Sequence, residues 1–161
     1  MAGATFTSGR LLAGMALVCL AAVAAASIAP HAFDMQPCPW CILQRVIFIV
    51  IALLCGIGAA VASRGVRIGV AGLVLLLALC GAAAALWQHF VAAKSASCNL
   101  TLADRIIGAL GLEALAPALF QVTASCADAV STILRVPFEF WSLALFVLVA
   151  LAATTVLRAR R

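Results

Sequence analysis

Four uninterrupted apolar stretches dominate the sequence, at residues 11–29, 42–62, 68–87 and 140–157. Each is close to the roughly 20 residues that an α-helix needs to cross the hydrocarbon core of a bilayer. The bilayer core offers no water to backbone N–H and C=O groups, so each stretch must pair these groups within itself as a helix. The sequence therefore predicts an all-α fold, a four-helix transmembrane bundle that forms a single membrane domain over residues 1–161.

The composition argues against a water-soluble globule. Hydrophobic residues make up 67% of the chain and charged residues 9%, whereas soluble domains have about half and about a quarter. The net charge of +5 comes from arginines that flank the apolar stretches rather than from a basic stripe, so it does not indicate nucleic acid binding. The first stretch is longer than the roughly 7–15-residue core of a signal peptide, which favours a retained helix.

The distribution of positive charge predicts the orientation in the membrane. Arginines occur before the first stretch (Arg10), in the short connection "SRGVR" and in the tail "RARR". Lys and Arg in short loops mark the cytoplasmic side, so both termini are expected there. The other two connections, at about 30–41 and 88–139, then lie on the outer side.

The seven cysteines divide by location. Three fall inside apolar stretches, where a free cysteine behaves as a small hydrophobic residue: Cys19, Cys55 and Cys80. Four fall in the outer connections, two in each: Cys38, Cys41, Cys98 and Cys126. An even number of cysteines in an oxidising compartment indicates disulfides.

The pair Cys38–Cys41 is the more specific signal. Its CxxC spacing suits thiol–disulfide exchange better than bracing, and it lies where the second helix is predicted to begin. Unpaired amides and the positive end of the helix dipole favour a thiolate at that point, above all at Cys41. Pro39 fits the first turn, where its missing N–H is not needed.

Arg45 follows Cys41 by one helical turn, on the same face and deeper in the apolar stretch. An arginine at the outer end of a span opposes the charge rule, and ionisable residues in membrane segments are functional by default. The alternative is a side chain that extends to the outer headgroups. In a functional role, Arg45 would stabilise a Cys41 thiolate or donate to a carbonyl of a bound electron acceptor.

The long connection contains Cys98 and Cys126, which alone would suit a purely structural disulfide equally well. Between them, Leu102, Ile106, Ile107 and Leu110 recur at helical spacing, which predicts a short helix lying in the membrane interface.

His31 and His89 lie near the outer ends of stretches and are weaker candidates for lining a site around Arg45; the alternative is an interfacial polar role. A zinc site usually needs two close cysteine pairs, and Cys98 and Cys126 are not one, so no metal site is predicted.

The stretch "PCPWCILQR", the four predicted spans and the second cysteine pair together resemble the DsbB family of bacterial disulfide bond formation proteins. The resemblance covers essentially the whole chain, with weaker matches at "WQH" (residues 87–89) and at the Cys126-Ala dipeptide. It implies a quinone-dependent thiol oxidase of the inner membrane whose active site faces the periplasm. Family members often have Glu or Gln before the arginine, and Gln44 here excludes a carboxylate role.

The resemblance also implies roles for individual residues. A reduced DsbA-type periplasmic thiol oxidase would attack a Cys98–Cys126 disulfide through Cys98, and the freed Cys126 would attack Cys38. Cys41, released as a thiolate, would pass electrons to ubiquinone or menaquinone of the membrane pool. Arg45 and Cys41 would contact the quinone, with His89 and His31 as further candidates.

Two other functions are compatible with the same residues. A structural membrane subunit could use two periplasmic disulfides as braces, and a metal-handling membrane protein could use the outer cysteines and histidines as ligands. The feature that favours the enzyme is Arg45 beneath a CxxC motif, which bracing does not require.

Overall fold

The computed structural model describes residues 2–33, 35–94, 101–129, 132–133 and 136–159, and only the backbone of residues 2–7, 31, 33, 132 and 133. The elements are α1 (Ala2–Phe33), α2 (Pro39–Ala60), α3 (Arg64–Phe90), a 3₁₀ turn (Ala92–Lys94), α4 (Leu102–Ala109), α5 (Leu112–Leu115), α6 (Pro117–Phe120), β1 (Thr132–Ile133), β2 (Val136–Pro137) and α7 (Phe138–Arg158). Within these residues, α1, α2, α3 and α7 are long and apolar enough to cross a membrane. This confirms the predicted four-helix membrane bundle.

The helices extend beyond most of the apolar stretches from which they were predicted. α1 continues through Pro30, and α2 begins at Pro39 rather than at residue 42. An apolar stretch marks only the part of a helix that lies in hydrocarbon, whereas the helix itself continues to its caps. The exception is the end of α2, where Arg67 Nε donates to the carbonyls of Gly58 (3.2 Å) and Val61 (3.0 Å) and closes the turn into α3.

The bundle is built from two closely packed pairs. α1 packs mainly on α2, and α7 packs mainly on α3, with α2 and α3 joining the pairs. At the centre the rings of Phe48 and Phe146 stack with centroids 4.1 Å apart. Gly81 lies so close to this stack that a Cβ at that position would come within 2.3 Å of the Phe146 ring. Glycine is therefore the residue that fits there. Leucines on the outside of the bundle are exposed, as expected for a surface that meets lipid.

The long connection folds back onto the start of α2 through α4. A capping box begins α4: Asp104 N–H donates to Thr101 Oγ1, and Thr101 N–H donates to the Asp104 carboxylate. The predicted short helix is therefore present, but its buried residues are Ala103 and Ile107, whereas Leu102 points outward with 62% of its surface exposed. α4 thus has one apolar face that packs against the rest of the protein and apolar residues elsewhere on its surface that are exposed.

Candidate active site at the start of α2

The CxxC motif forms the first turn of α2. Cys38 is the N-cap residue, Pro39 is the first helical residue, and Ile42 N–H donates to the Cys38 carbonyl at 3.1 Å. The sulfur atoms of Cys38 and Cys41 lie 3.0 Å apart in hydrogen-bond contact, and both residues are free thiols. The two sulfurs therefore lie at the positive end of the helix, where amides without helical partners favour a thiolate.

Cys126 approaches the same motif from the long connection. Its sulfur is hydrogen-bonded to the Cys38 thiol and to the backbone N–H of Trp40, one of the amides at the start of α2 without a helical partner. Thr123 N–H donates to the Pro37 carbonyl at 3.1 Å and holds this part of the connection against the motif. Cys38 is consequently in contact with Cys41 on one side and with Cys126 on the other.

These contacts separate the acidities of two of the thiols. The hydrogen bond from Cys38 lowers the pKa of Cys126, against the opposing effect of burial. The pKa of Cys38 is raised well above its ordinary value, first by its hydrogen bonds to Cys126 and Cys41 and then by burial. With Cys38 and Cys41 reduced, Cys126 is therefore the more readily ionised of the two thiols, and Cys38 is the thiol that donates to it.

Arg45 is buried and donates to two backbone carbonyls from different parts of the chain. Nη2 lies 2.6 Å from the oxygen of Ala26 in α1, and Nη1 lies 2.9 Å from the oxygen of Leu119 in α6. The helical partner of the Ala26 carbonyl would be the N–H of residue 30, which is a proline and has none. Arg45 thus supplies the donor that Pro30 removes. The sequence did not predict this structural role.

Two buried glutamines extend from the motif into α3. Gln88 Nε2 lies 3.2 Å from Cys41 Sγ, and Gln44 Nε2 lies 2.7 Å from Gln88 Oε1. Neither residue was predicted as a site residue. The available signal was a polar side chain at the outer end of an apolar stretch, within the sequence "WQH" for Gln88 and beside Arg45 for Gln44.

His89 is connected to the site by a hydrogen bond to the carboxylate of Glu139. Its Nδ1 lies 2.7 Å from Oε1 of Glu139, which is buried in the first turn of α7. Glu139 was not predicted as a site residue, although a carboxylate at the edge of an apolar stretch is an unusual feature. His31 lies near the end of α1, and its side chain is outside the described part of the structure.

A cavity of about 250 Å³ opens between α1 and α7. Its α1 wall consists largely of small residues, namely Ala22, Val23, Ala25, Ala26 and Ala29. The α2 and α3 walls contribute Cys41, Gln44, Arg45, Phe48 and Gln88. The α7 wall contributes Phe138, Glu139, Trp141, Ser142 and Leu145. The cavity is therefore apolar on the α1 side and polar where it meets the cysteine.

This site lies in a chain that matches a known family model along most of its length. The model for "Disulfide bond formation protein DsbB" matches residues 8–156. The chain belongs to the DsbB family. The match covers most or all of each of the four long helices and every site residue described above.

Curated members of the DsbB family are similar to this chain over nearly its whole length. Disulfide bond formation protein B of Pseudomonas syringae pv. tomato is 37% identical over 155 residues, which cover 94% of this chain and 91% of that protein. The protein of the same name from Burkholderia pseudomallei is 34% identical, with 94% and 90% covered. That from Polaromonas sp. is 33% identical, with 88% and 86% covered.

In this DsbB family member, the structure brings together four of the residues predicted from sequence: Cys38, Cys41, Arg45 and Cys126. His89 joins them through Glu139. Cys98 lies outside the described residues, so its predicted pairing with Cys126 stays a prediction. Among the described residues, no group of three or more His, Cys, Asp or Glu side chains is arranged to hold a metal ion.

Proposed function

We propose that this protein is a dithiol:quinone oxidoreductase of the bacterial inner membrane, which reoxidises a DsbA-type periplasmic thiol oxidase and passes the electrons to membrane quinone. Its relatives are named for disulfide bond formation. The observation that carries the proposal is the position of Cys38, in contact with both Cys126 and Cys41, while Cys41 lines a cavity between membrane-spanning helices. A bracing disulfide needs neither the third sulfur nor the cavity.

The exchange proceeds through the sulfurs in a fixed order. A thiolate of the reduced partner attacks Cys98 of a Cys98–Cys126 disulfide, which forms a mixed disulfide and leaves the electron pair on Cys126. The second thiolate of the partner then resolves the mixed disulfide and is oxidised with the first. Cys126 attacks Cys38, and the Cys38–Cys41 bond breaks with its electron pair on Cys41. The backbone N–H of Trp40, which lowers the pKa of Cys126 and does not depend on the redox state of Cys38, favours this attack.

The cycle closes with one exchange within this chain and one oxidation, whose two electrons go to the quinone. Cys98 resolves the Cys126–Cys38 bond, so that the Cys98–Cys126 disulfide re-forms and Cys38 and Cys41 are left as a dithiol. Oxidation of that dithiol to a disulfide releases two electrons and two protons. The 3.0 Å separation of the two sulfurs supports this last step, because the bond forms between atoms already in contact.

The residues around the cavity fit a quinone headgroup. The volume of about 250 Å³ is just below the roughly 300–1,000 Å³ of typical small-molecule sites, which suits one substituted ring with its tail left in lipid. A quinone supplies a lipid-soluble acceptor of two electrons and two protons. The apolar α1 wall and the rings of Phe138 and Trp141 on α7 would hold the quinone ring, while polar groups near Cys41 come from Arg45, Gln44 and Gln88.

The positions of the arginines support the proposed orientation. Arg64 and Arg67 lie at the end of the bundle opposite the CxxC motif, in the turn from α2 to α3. With that end in the cytoplasm, Cys126 and the long connection face the periplasm, where a soluble partner would meet them.

The test is anaerobic reduction of quinone by the purified protein, driven by a reduced periplasmic oxidase of the thioredoxin type. Wild type is expected to form one quinol per partner disulfide, and Cys41→Ser is expected to abolish the reaction. Cys80→Ser, which replaces an exposed cysteine elsewhere in the bundle, is the matched control and should retain full activity. Quinone reduction at the normal rate by Cys41→Ser would refute the mechanism.

A second variant separates electron entry from electron exit. Cys98→Ser should lose oxidation of the partner while its Cys38–Cys41 dithiol, reduced chemically, still reduces quinone. Full oxidation of the partner by Cys98→Ser would instead make the Cys98 pair structural.

A further inference from the structure

A chain of two buried amides ends on the sulfur of Cys41. Gln88 donates to Cys41 Sγ at 3.2 Å, and Gln44 donates to Gln88 Oε1 at 2.7 Å. Gln44 is 3% exposed and Gln88 is 6% exposed, so both amides depend on partners within the protein. A neutral thiol is a weak hydrogen-bond acceptor, whereas a thiolate is a strong one. The arrangement is therefore best satisfied when Cys41 is ionised.

We propose that Gln88 is a catalytic residue that holds the Cys41 thiolate by a direct hydrogen bond, and that Gln44 is a positioning residue that fixes the amide of Gln88 in the donating orientation. The inference rests on the proposed function for the reaction that it serves. When Cys126 attacks Cys38, the Cys38–Cys41 bond breaks and its electron pair moves to Cys41. A donor already in contact with that sulfur makes it a better leaving group.

The role of Gln44 follows from the two ends of the Gln88 amide. Because Gln44 donates to Oε1, this oxygen is engaged and Nε2 faces the sulfur. Rotation of the amide by half a turn would direct oxygen lone pairs at the thiolate, which is repulsive. Gln44 makes this rotation costly without itself contacting Cys41.

The other charged and titratable groups around Cys41 are already committed to partners. They are Cys38 at the start of α2, Arg45 one turn deeper, Glu139 on α7 across the cavity and Cys126 from the long connection. Arg45 donates to two carbonyls and Glu139 bonds to His89. Within the described residues, Cys41 Sγ is hydrogen-bonded to the Cys38 sulfur, in a contact where either thiol can donate, and it accepts from Gln88 Nε2. Gln88 is the donor among them that does not change redox state.

The experiment measures alkylation of Cys41 against pH in the reduced full-length protein, without quinone or partner, by mass spectrometry of the Cys41 peptide after brief treatment with iodoacetamide. Gln88→Met preserves side-chain length but removes the donor. A hydrogen bond to a charged group contributes enough that its loss should reduce the ratio of thiolate to thiol about tenfold, which raises the pH of half-maximal alkylation by about one unit. Gln88→Asn retains an amide but withdraws it by one methylene, and should give a similar rise.

The double variant Gln44→Met/Gln88→Met tests whether Gln44 acts on Cys41 through Gln88. Gln44→Met should give a smaller rise than Gln88→Met, and the double variant should match Gln88→Met alone because Gln44 acts through Gln88. Gln121→Met, at an exposed glutamine, is the control and should leave the profile unchanged. An unchanged half-maximal pH in Gln88→Met and Gln88→Asn would overturn the role of Gln88, and a larger rise in the double variant would overturn that of Gln44. Failure of wild type to reduce quinone would refute the proposed function while leaving these profiles as they are.

Discussion

The bond between Arg45 and Ala26 predicts an energetic coupling between two residues on different helices. Pro30 leaves the Ala26 carbonyl without a helical donor, and Arg45 Nη2 takes that place at 2.6 Å. Pro30→Ala would restore a backbone N–H one turn after Ala26. The cost of removing the arginine should then depend on which residue occupies position 30.

The magnitude follows from the number of bonds lost. A hydrogen bond involving a charged group contributes about 1.5–3 kcal/mol, and hydrogen bonds between membrane helices contribute from about 0.6 to about 2 kcal/mol. At about 1.5 kcal/mol for each of its two bonds, Arg45→Met should lower the free energy of unfolding by about 3 kcal/mol. In the Pro30→Ala background only the bond to Leu119 is lost, so the cost falls to about 1.5 kcal/mol.

The assay is unfolding of the purified protein in mixed micelles of mild detergent and dodecyl sulfate, followed by circular dichroism. The four proteins of the cycle are wild type, Arg45→Met, Pro30→Ala and the double variant, and the coupling energy is the difference between the two costs. Pro137→Ala, at the N-cap of α7, is the control background and should show no coupling. Equal costs of Arg45→Met in the native and Pro30→Ala backgrounds would refute the account of Arg45 as a substitute donor.

Two further predictions concern the core and the thiol cluster. Gly81→Ala should lower the free energy of unfolding by about 1–3 kcal/mol, because the new methyl group meets the stacked Phe146 ring. The same titration with dodecyl sulfate measures this change. An unaltered free energy of unfolding would show that the Phe146 ring moves aside freely. Cys38→Ala removes the first cause of the lowered pKa of Cys126, so this pKa should rise towards its ordinary value and alkylation of Cys126 at neutral pH should slow. Unchanged alkylation of Cys126 would mean that Cys38 does not stabilise its thiolate.

The sequence was sufficient for the architecture, because hydrocarbon permits so few backbone arrangements. Four apolar stretches became four helices, and the CxxC motif lies at a helix start as its Pro39 indicated. The short helix of the long connection was also predicted, although its buried face was not. Ala103 and Ile107 pack on protein, whereas Leu102 and Leu110, which were predicted to share an apolar face with Ile107, are exposed.

The polar contacts of the site were less accessible to sequence reasoning. Arg45 was recognised as unusual, but its partners are backbone carbonyls, which carry no residue-specific signal. Pro30 was the one clue, and it fell just beyond the first predicted stretch. Gln88 and Glu139 are each a single polar residue at the end of an apolar stretch, a pattern that interfacial residues share, so only their contacts distinguish them.

The alanine wall of α1 has a consequence for how the protein can diversify. A methyl group has no rotamers, so the width of the gap between α1 and α7 is determined by the backbone at Ala22, Ala25 and Ala26. None of these three side chains is hydrogen-bonded to the sulfurs, and a substitution by valine at any of them would narrow the cavity. Under the proposed function, the preference among lipid-soluble oxidants would thus change through substitutions in α1, without a change to the cysteines on α2.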